Sequence, residues 1–299
     1  SRLSSIMASA PPLRRLMSWQ ASALLGVAAA AWAVTVLQAR GMGVMSGTMG
    51  LGLAAFVGMW APMMAAMMLP AVTPVALLYA RIVRGARSGL RLGAFAFGYL
   101  LVWAATALPA YGSLMVADRL TNDHPTAGRA TAAAIFALCG LYQFSPLKRR
   151  CLAHCRSPLS LLMRYGSYRG PLRDLRVGLH HGAYCLGCCW ALFLILIVVG
   201  VMNVVAMLAL VAIVLLEKLW SRGELLSHAV GVTALALAVA VIFVPGLSPG
   251  LTEGSRMGAM GADRMGAMDA PAMGRPDSPA RPAAPIPPDA MDAGNRSMP

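Results

Sequence analysis

Charge is scarce in this sequence: 12% of its 299 residues are charged, and only 11 are Asp or Glu. A soluble domain of this length needs far more polar surface to cover its core, so a mean hydropathy of +0.67 excludes that class. Cysteine is absent outside residues 139–189, which confines any thiol chemistry to one stretch. There is no Walker-type nucleotide loop and no phosphorylatable Asp motif of an ATP-driven pump, so active pumping by this chain alone is not expected. Residues 24–36 are apolar enough for the core of a signal peptide. No small-residue cleavage site with a mature soluble domain follows them, so a cleavable signal is not expected either.

What the sequence has instead is apolar runs near or above the roughly 20 residues that cross a bilayer. Seven are predicted, at about 19–39, 51–80, 92–116, 127–146, 183–203, 204–220 and 226–246. Residues 183–220 are too long for one crossing at about 1.5 Å per residue, so a tight turn is predicted at Met202-Asn203. The predicted fold class is all-α, a polytopic membrane helix bundle of about seven transmembrane helices.

The net charge of +14 could signal a nucleic-acid partner, but the cations gather in short loops between apolar runs. Arg14 and Arg15 precede the first run, and Arg81, Arg84, Arg87 and Arg91 join the second to the third. Lys148, Arg149, Arg150, Arg156, Arg164, Arg169, Arg173 and Arg176 join the fourth to the fifth, and Lys218 and Arg222 follow the sixth. Every second loop is basic, the alternation that the positive-inside bias gives a bacterial inner-membrane protein with its N-terminus inside. The partner is therefore a lipid bilayer, and no nucleic acid is expected. Three parts follow: a cytoplasmic segment 1–18, a transmembrane metal-binding domain 19–247, and a tail 248–299. The tail is rich in Pro, Ala, Gly and Met without periodicity, so it is predicted to be disordered and to lie on the periplasmic side.

Methionine is abundant, with 21 residues. Met42, Met45 and Met49 lie in a predicted outer loop, and seven lie in the tail, where packing gives methionine no use. The stretch WAPMMAAMMLPAVTP, residues 60–74, places Met63, Met64, Met67 and Met68 inside the second run, one turn after Met59. Met59, Met63 and Met67 recur every fourth residue, with Met64 and Met68 on the adjoining stripe, so the sulfurs stack along one broad flank. Thioethers are neutral soft ligands that favour Cu(I) and stay competent where thiols oxidise. The plain alternative is that methionine fills gaps between helices. Pro70 and Pro74 are predicted to break the hydrogen-bond ladder just beyond the row.

The cysteines fall in two groups that map to the cytoplasmic end, where thiols stay reduced. Cys151, His154 and Cys155 follow the fourth run, and His180, His181, Cys185, Cys188 and Cys189 open the fifth. On helices, Cys151 shares a face with Cys155, and His181 shares one with Cys185. Two such ends meeting would form a thiolate and imidazole cluster suited to Cu(I), with Zn(II) as the second candidate. Cys139, alone in mid-span, reads as a small buried hydrophobe. Glu217 and Lys218 end the sixth run at the same level, as functional candidates or as residues that simply pair with arginine or anchor the helix at the headgroups.

Three ordered motifs carry a resemblance: WAPMMAAMMLPAVTP, YQFSPLKRRCLAHCRSP at 142–158, and GAYCLGCCW at 182–190. Over about residues 50–220 the chain resembles the bacterial predicted metal-binding integral membrane proteins that include membrane copper chaperones for polyphenol oxidases. The resemblance implies copper handling and delivery to a copper enzyme or a soluble copper chaperone. The expected function is thus a membrane copper chaperone or permease. Its metal ligands would be Met63, Met64, Met67, Met68, Cys151, His154, Cys155, His181, Cys185, Cys188 and Cys189. Sites with too few ligands would be completed across a homo-oligomer interface. Two rivals differ in class: a membrane thiol oxidoreductase using Cys185 and Cys188, in which the methionine row is idle, and a metal-free assembly subunit.

Overall fold

A computed structural model describes residues 11–42, 50–83, 87–123, 127–157 and 168–244, and every element and contact below belongs to these. Met45 and Met49, Arg84, Arg164, Pro158 and the methionine-rich tail lie outside them. The described residues form helices and no strands. In chain order these are α1 (Pro11–Met42), α2 (Leu53–Ile82), α3 (Ser88–Ala105), α4 (Ala107–Asp123) and α5 (Ala127–Gln143). They continue with α6 (Pro146–Arg156), α7 (Arg173–Phe193), α8 (Ile195–Val199), α9 (Val204–Leu219) and α10 (Gly223–Phe243).

Five stretches are long and apolar enough to cross a membrane: Trp19–Arg40, Leu53–Arg81, Ser88–Leu120, Arg173–Val199 and Gly223–Phe243. The pair α5 and α6, bent by 61°, makes a sixth if it counts as one broken span. The sixth predicted run, 204–220, corresponds to α9, which at 16 residues is short for a crossing of its own. The interior belongs to α2 and α7, whose apolar stretches are 67% and 56% buried, against 22–28% for the other three long spans. Those outer helices turn large apolar side chains outward, among them Leu37, Phe97, Val116, Val239 and Phe243. So extensive an apolar exterior suits lipid rather than water.

Small residues let the helices close on one another. Gly98 of α3 faces the Leu175 carbonyl and Leu179 amide of α7, while Gly178 and Gly182 of α7 face the backbone of Phe95 and Tyr99. The Gly178-x3-Gly182 spacing puts both on one face, so the two backbones touch, the packing that membrane helices use where greasy side chains give no advantage over lipid. Gly140 of α5 abuts the Gly231 carbonyl and Leu235 of α10 in the same way.

Breaks in the helices are locally encoded. Ser145 caps α6, its hydroxyl accepting from the Lys148 amide at 3.1 Å, with Pro146 in the first turn, so the chain turns sharply after Gln143. Gly200, at φ +102°, ends α8, and Asn203 caps α9 by accepting from the Ala206 amide at 3.0 Å. The turn therefore falls where the length argument asks for it. The prolines interrupt the ladder without ending their helix. α2 runs unbroken through Pro62, Pro70 and Pro74, so the expected break is only a set of missing ladder bonds. Beside them Thr73 donates to the Leu69 carbonyl at 2.7 Å, and the Tyr99 hydroxyl reaches the Met68 carbonyl at 3.5 Å. Packing on α1, α3, α4 and α9 holds the helix through its weak points.

Two polar clamps gather the helix ends on the same side as the cysteines. Arg91 of α3 forks onto Asp174 of α7, with Nε–Oδ2 at 3.0 Å and Nη2–Oδ1 at 3.1 Å, and Tyr79 of α2 donates to the same carboxylate. Lys148 of α6 lies 2.9 Å from both oxygens of Glu217 on α9 and also bonds the Gln143 side chain, which takes a bond from Ser227 of α10. Lys148 is thus a buried structural cation rather than a solvated loop charge, and Glu217 pairs with it rather than with an arginine.

Candidate metal centre

The GAYCLGCCW segment lies within α7, where positions 185, 188 and 189 fall on one face at i, i+3 and i+4. Cys185, Cys188 and Cys189 are all buried, and their sulfurs lie within 4.8 Å of one another. The Cys188 and Cys189 thiols rest on the Cys185 carbonyl at 3.0 and 2.9 Å, a parking contact between helical residues three and four apart. One helical turn thus presents three soft donors to a single point.

Neighbouring elements converge on Cys185. The close approach of α3 at Gly178 and Gly182 carries Tyr99 onto α7, with its hydroxyl 2.9 Å from the Cys185 sulfur. From α9, the Lys218 ammonium donates to the same sulfur at 2.9 Å. From α6, Cys155 is a hydrogen-bond partner of both Cys185 and Cys188. The end of α6 is fixed to the end of α9 by Arg156, which donates to the Trp220 and Ser221 carbonyls at 2.6 and 3.0 Å.

The two predicted thiol groups therefore meet, though unequally. Cys155 joins the three thiols of α7, whereas Cys151 sits a turn earlier with its sulfur over Gly187, where a Cβ would stand 2.8 Å from it. Cys188 is its electrostatic neighbour. His181 is 2% exposed, one turn from Cys185, between the rings of Phe95 and Tyr99, both 6.1 Å away. Its Nδ1 has no hydrogen-bond partner, an arrangement that costs free energy unless a cation or a proton donor supplies one. His154 stacks on Tyr184 at 3.9 Å and stands 6.4 Å from the His181 ring, at the edge of the cluster. Cys139 is buried and apart from the triad, as its position suggests.

The methionine row lies on the inward side of α2. Met59, Met63, Met64, Met67 and Met68 are all buried, none more than 3% exposed. Met64 lines a largely apolar cavity of about 560 Å³ together with Gly187 and Trp190, so that cavity spans from the row to the cysteine helix. At the row's other end, Tyr99 touches both the Met68 carbonyl and the Cys185 sulfur.

Two residues at the centre escape a motif reading. Tyr99 is one aromatic in an apolar run, and only the α3–α7 contact brings it to Cys185. Lys218 reads as an anchor, yet one signal was there: all but two of the 25 Lys and Arg residues are arginine, and Lys148 and Lys218 are the exceptions.

Three buried thiols with a fourth beside them and an orphaned imidazole nitrogen fit a soft cation, with donors that suit copper or zinc. The class is thus an apolar helix bundle enclosing a thiol-rich site that can hold a metal. The family model described as "PpoB2: Copper chaperone" matches residues 57–241, more than half of the sequence, and the chain belongs to that family. The match takes in the methionine row and both cysteine groups. No curated protein and no solved structure matches the chain.

Proposed function

We propose that the protein is a multi-pass inner-membrane chaperone or permease for Cu(I), with copper as its cargo and a copper enzyme as the destination. In this reading the chain crosses seven times, the N-terminus and the thiol cluster lie at the cytoplasmic end, and the tail lies outside. The observation that carries the reading is the Tyr99 hydroxyl, which lies within reach of both the Met68 carbonyl at the end of the methionine row and the Cys185 sulfur of the thiol cluster.

The residues divide the work by donor strength. Met63, Met64, Met67 and Met68 offer neutral sulfurs that bind Cu(I) weakly enough to pass it on, as transit requires. Cys185, Cys188, Cys189 and Cys155 are the stronger terminus, with His181 supplying a nitrogen beside them. Transfer is ligand exchange, one sulfur engaging as another lets go, and the same path serves either direction.

Anaerobic purification followed by copper and free-thiol determination tests this. Near-stoichiometric copper is expected, lost in C185S/C188S. The M64L/M68L variant is expected to hold copper at the thiols but to exchange it at least tenfold more slowly. Metal-free protein with a reversible Cys185–Cys188 disulfide would replace the reading with a thiol oxidoreductase.

A further inference from the structure

Lys218 has an unusual partner. Glu217, its neighbour in sequence, gives both carboxylate oxygens to Lys148. Neither that pair nor Arg91–Asp174 includes Lys218. The ammonium instead points at sulfur, 2.9 Å from Cys185, with Cys155 and Cys188 as further electrostatic neighbours. It faces the cysteine group of the proposed copper site, where a bound cation would also have to sit.

Lys218 also has room beside it. The residue borders a cavity of about 190 Å³ shared with Pro74 of α2, His154 and Cys155 of α6, and Arg156. A four-carbon stem anchored at the end of α9 can place its ammonium against the sulfur or withdraw it into this space. Lysine suits such a swing because its charge is a compact point on a flexible chain, whereas a planar guanidinium is held by its fork of donors. In a chain whose cations are arginine everywhere but here and at Lys148, that choice of residue has a physical sense.

We propose that Lys218 is a tethered placeholder cation: its ammonium faces Cys185 while the site is empty and withdraws into the adjoining cavity when Cu(I) binds. The two cations repel at this range, so the sulfur keeps one and expels the other. An incoming ion therefore finds donors already gathered around a positive charge, and a departing ion leaves the lysine to refill the position. No bond is made or broken at Lys218. The inference rests on the copper reading above and adds a moving part to its terminus.

The test uses the full chain in detergent, anaerobically, with and without one equivalent of Cu(I). The amines are acetylated by an N-hydroxysuccinimide ester at one fixed pH, and labelling is read by peptide mass spectrometry. Lys148, locked on Glu217, is the internal reference. Cu(I) is expected to speed labelling of Lys218 at least tenfold and to leave Lys148 unchanged. Bound copper is measured in the same samples. Copper bound with Lys218 labelling unchanged overturns the placeholder and leaves the copper reading standing. An equal rise at Lys148 reports general loosening and also overturns it. Absence of bound copper removes the copper reading and the placeholder with it.

Discussion

Cys185 is the atom on which most depends. It accepts from Lys218, contacts Tyr99, and has Cys155, Cys188 and Cys189 around it. Cys185→Ser is expected to abolish stoichiometric copper binding, whereas Cys139→Ser is expected to leave it within about twofold of the parent. Competition with a chromophoric Cu(I) chelator reads both, and equal losses would count against a localised site. The contrast shows what a sequence can disclose about single residues. Helical spacing alone puts His181 near Cys185, and Cys185 near Cys188 and Cys189, because one helix fixes their separation. Tyr99 and Lys218 reach the same sulfur from two other helices, 86 and 33 residues away. No local period encodes such a meeting. It depends on which faces pack, and that is decided by glycines whose role is to be absent side chains.

At the scale of elements, Gly187 offers the sharpest check on how α6 rests on α7. A methyl group there would meet the Cys151 sulfur at 2.8 Å. Gly187→Ala is expected to cost about 1–3 kcal/mol, as overpacking does. In a Cys151→Ala background most of that cost should vanish, because the opposing sulfur is gone. Thermal unfolding of the two singles and the double mutant measures the coupling, and strict additivity would show that the helices meet elsewhere. Gly178→Leu, at the backbone contact of α3 with α7, has no such rescue and is expected to lower both stability and copper binding by displacing Tyr99. The helices themselves were readable as apolar runs, and the turn at Asn203 from length. The continuity of α2 through three prolines was not, since packing from four other helices outweighs the missing ladder bonds.

For the whole molecule, the ends of α5, α6, α9 and α10 are tied through Lys148, Glu217, Gln143 and Ser227. Both charges of the pair are buried, with side chains 1% and 2% exposed. Glu217→Ala strands an ammonium and is expected to destabilise by roughly 3–5 kcal/mol, while Lys148→Met with Glu217→Met should unfold close to the parent temperature. A double variant as unstable as the single would give the pair a role beyond charge balance. Orientation is tested separately: a reporter fused to the C-terminus should be active only on the outer face, and cytoplasmic activity would invert the proposed path. The helical fold and the apolar spans were legible because composition and run length carry them. Lys148 was misread as a loop charge because loop position says nothing about burial.

The length of α2 has one more consequence. Its apolar stretch of 29 residues is about 43 Å long at about 1.5 Å per residue, well beyond a hydrocarbon core of about 30 Å. Such a helix must lean, or carry its ends deep among the headgroups. The sulfurs along its flank then climb obliquely, and their depth depends on how thick the lipid is. Bilayer thickness would set the slope of the methionine row, so the same protein in short-chain and long-chain lipid would hold its buried sulfurs at different depths below the membrane surface.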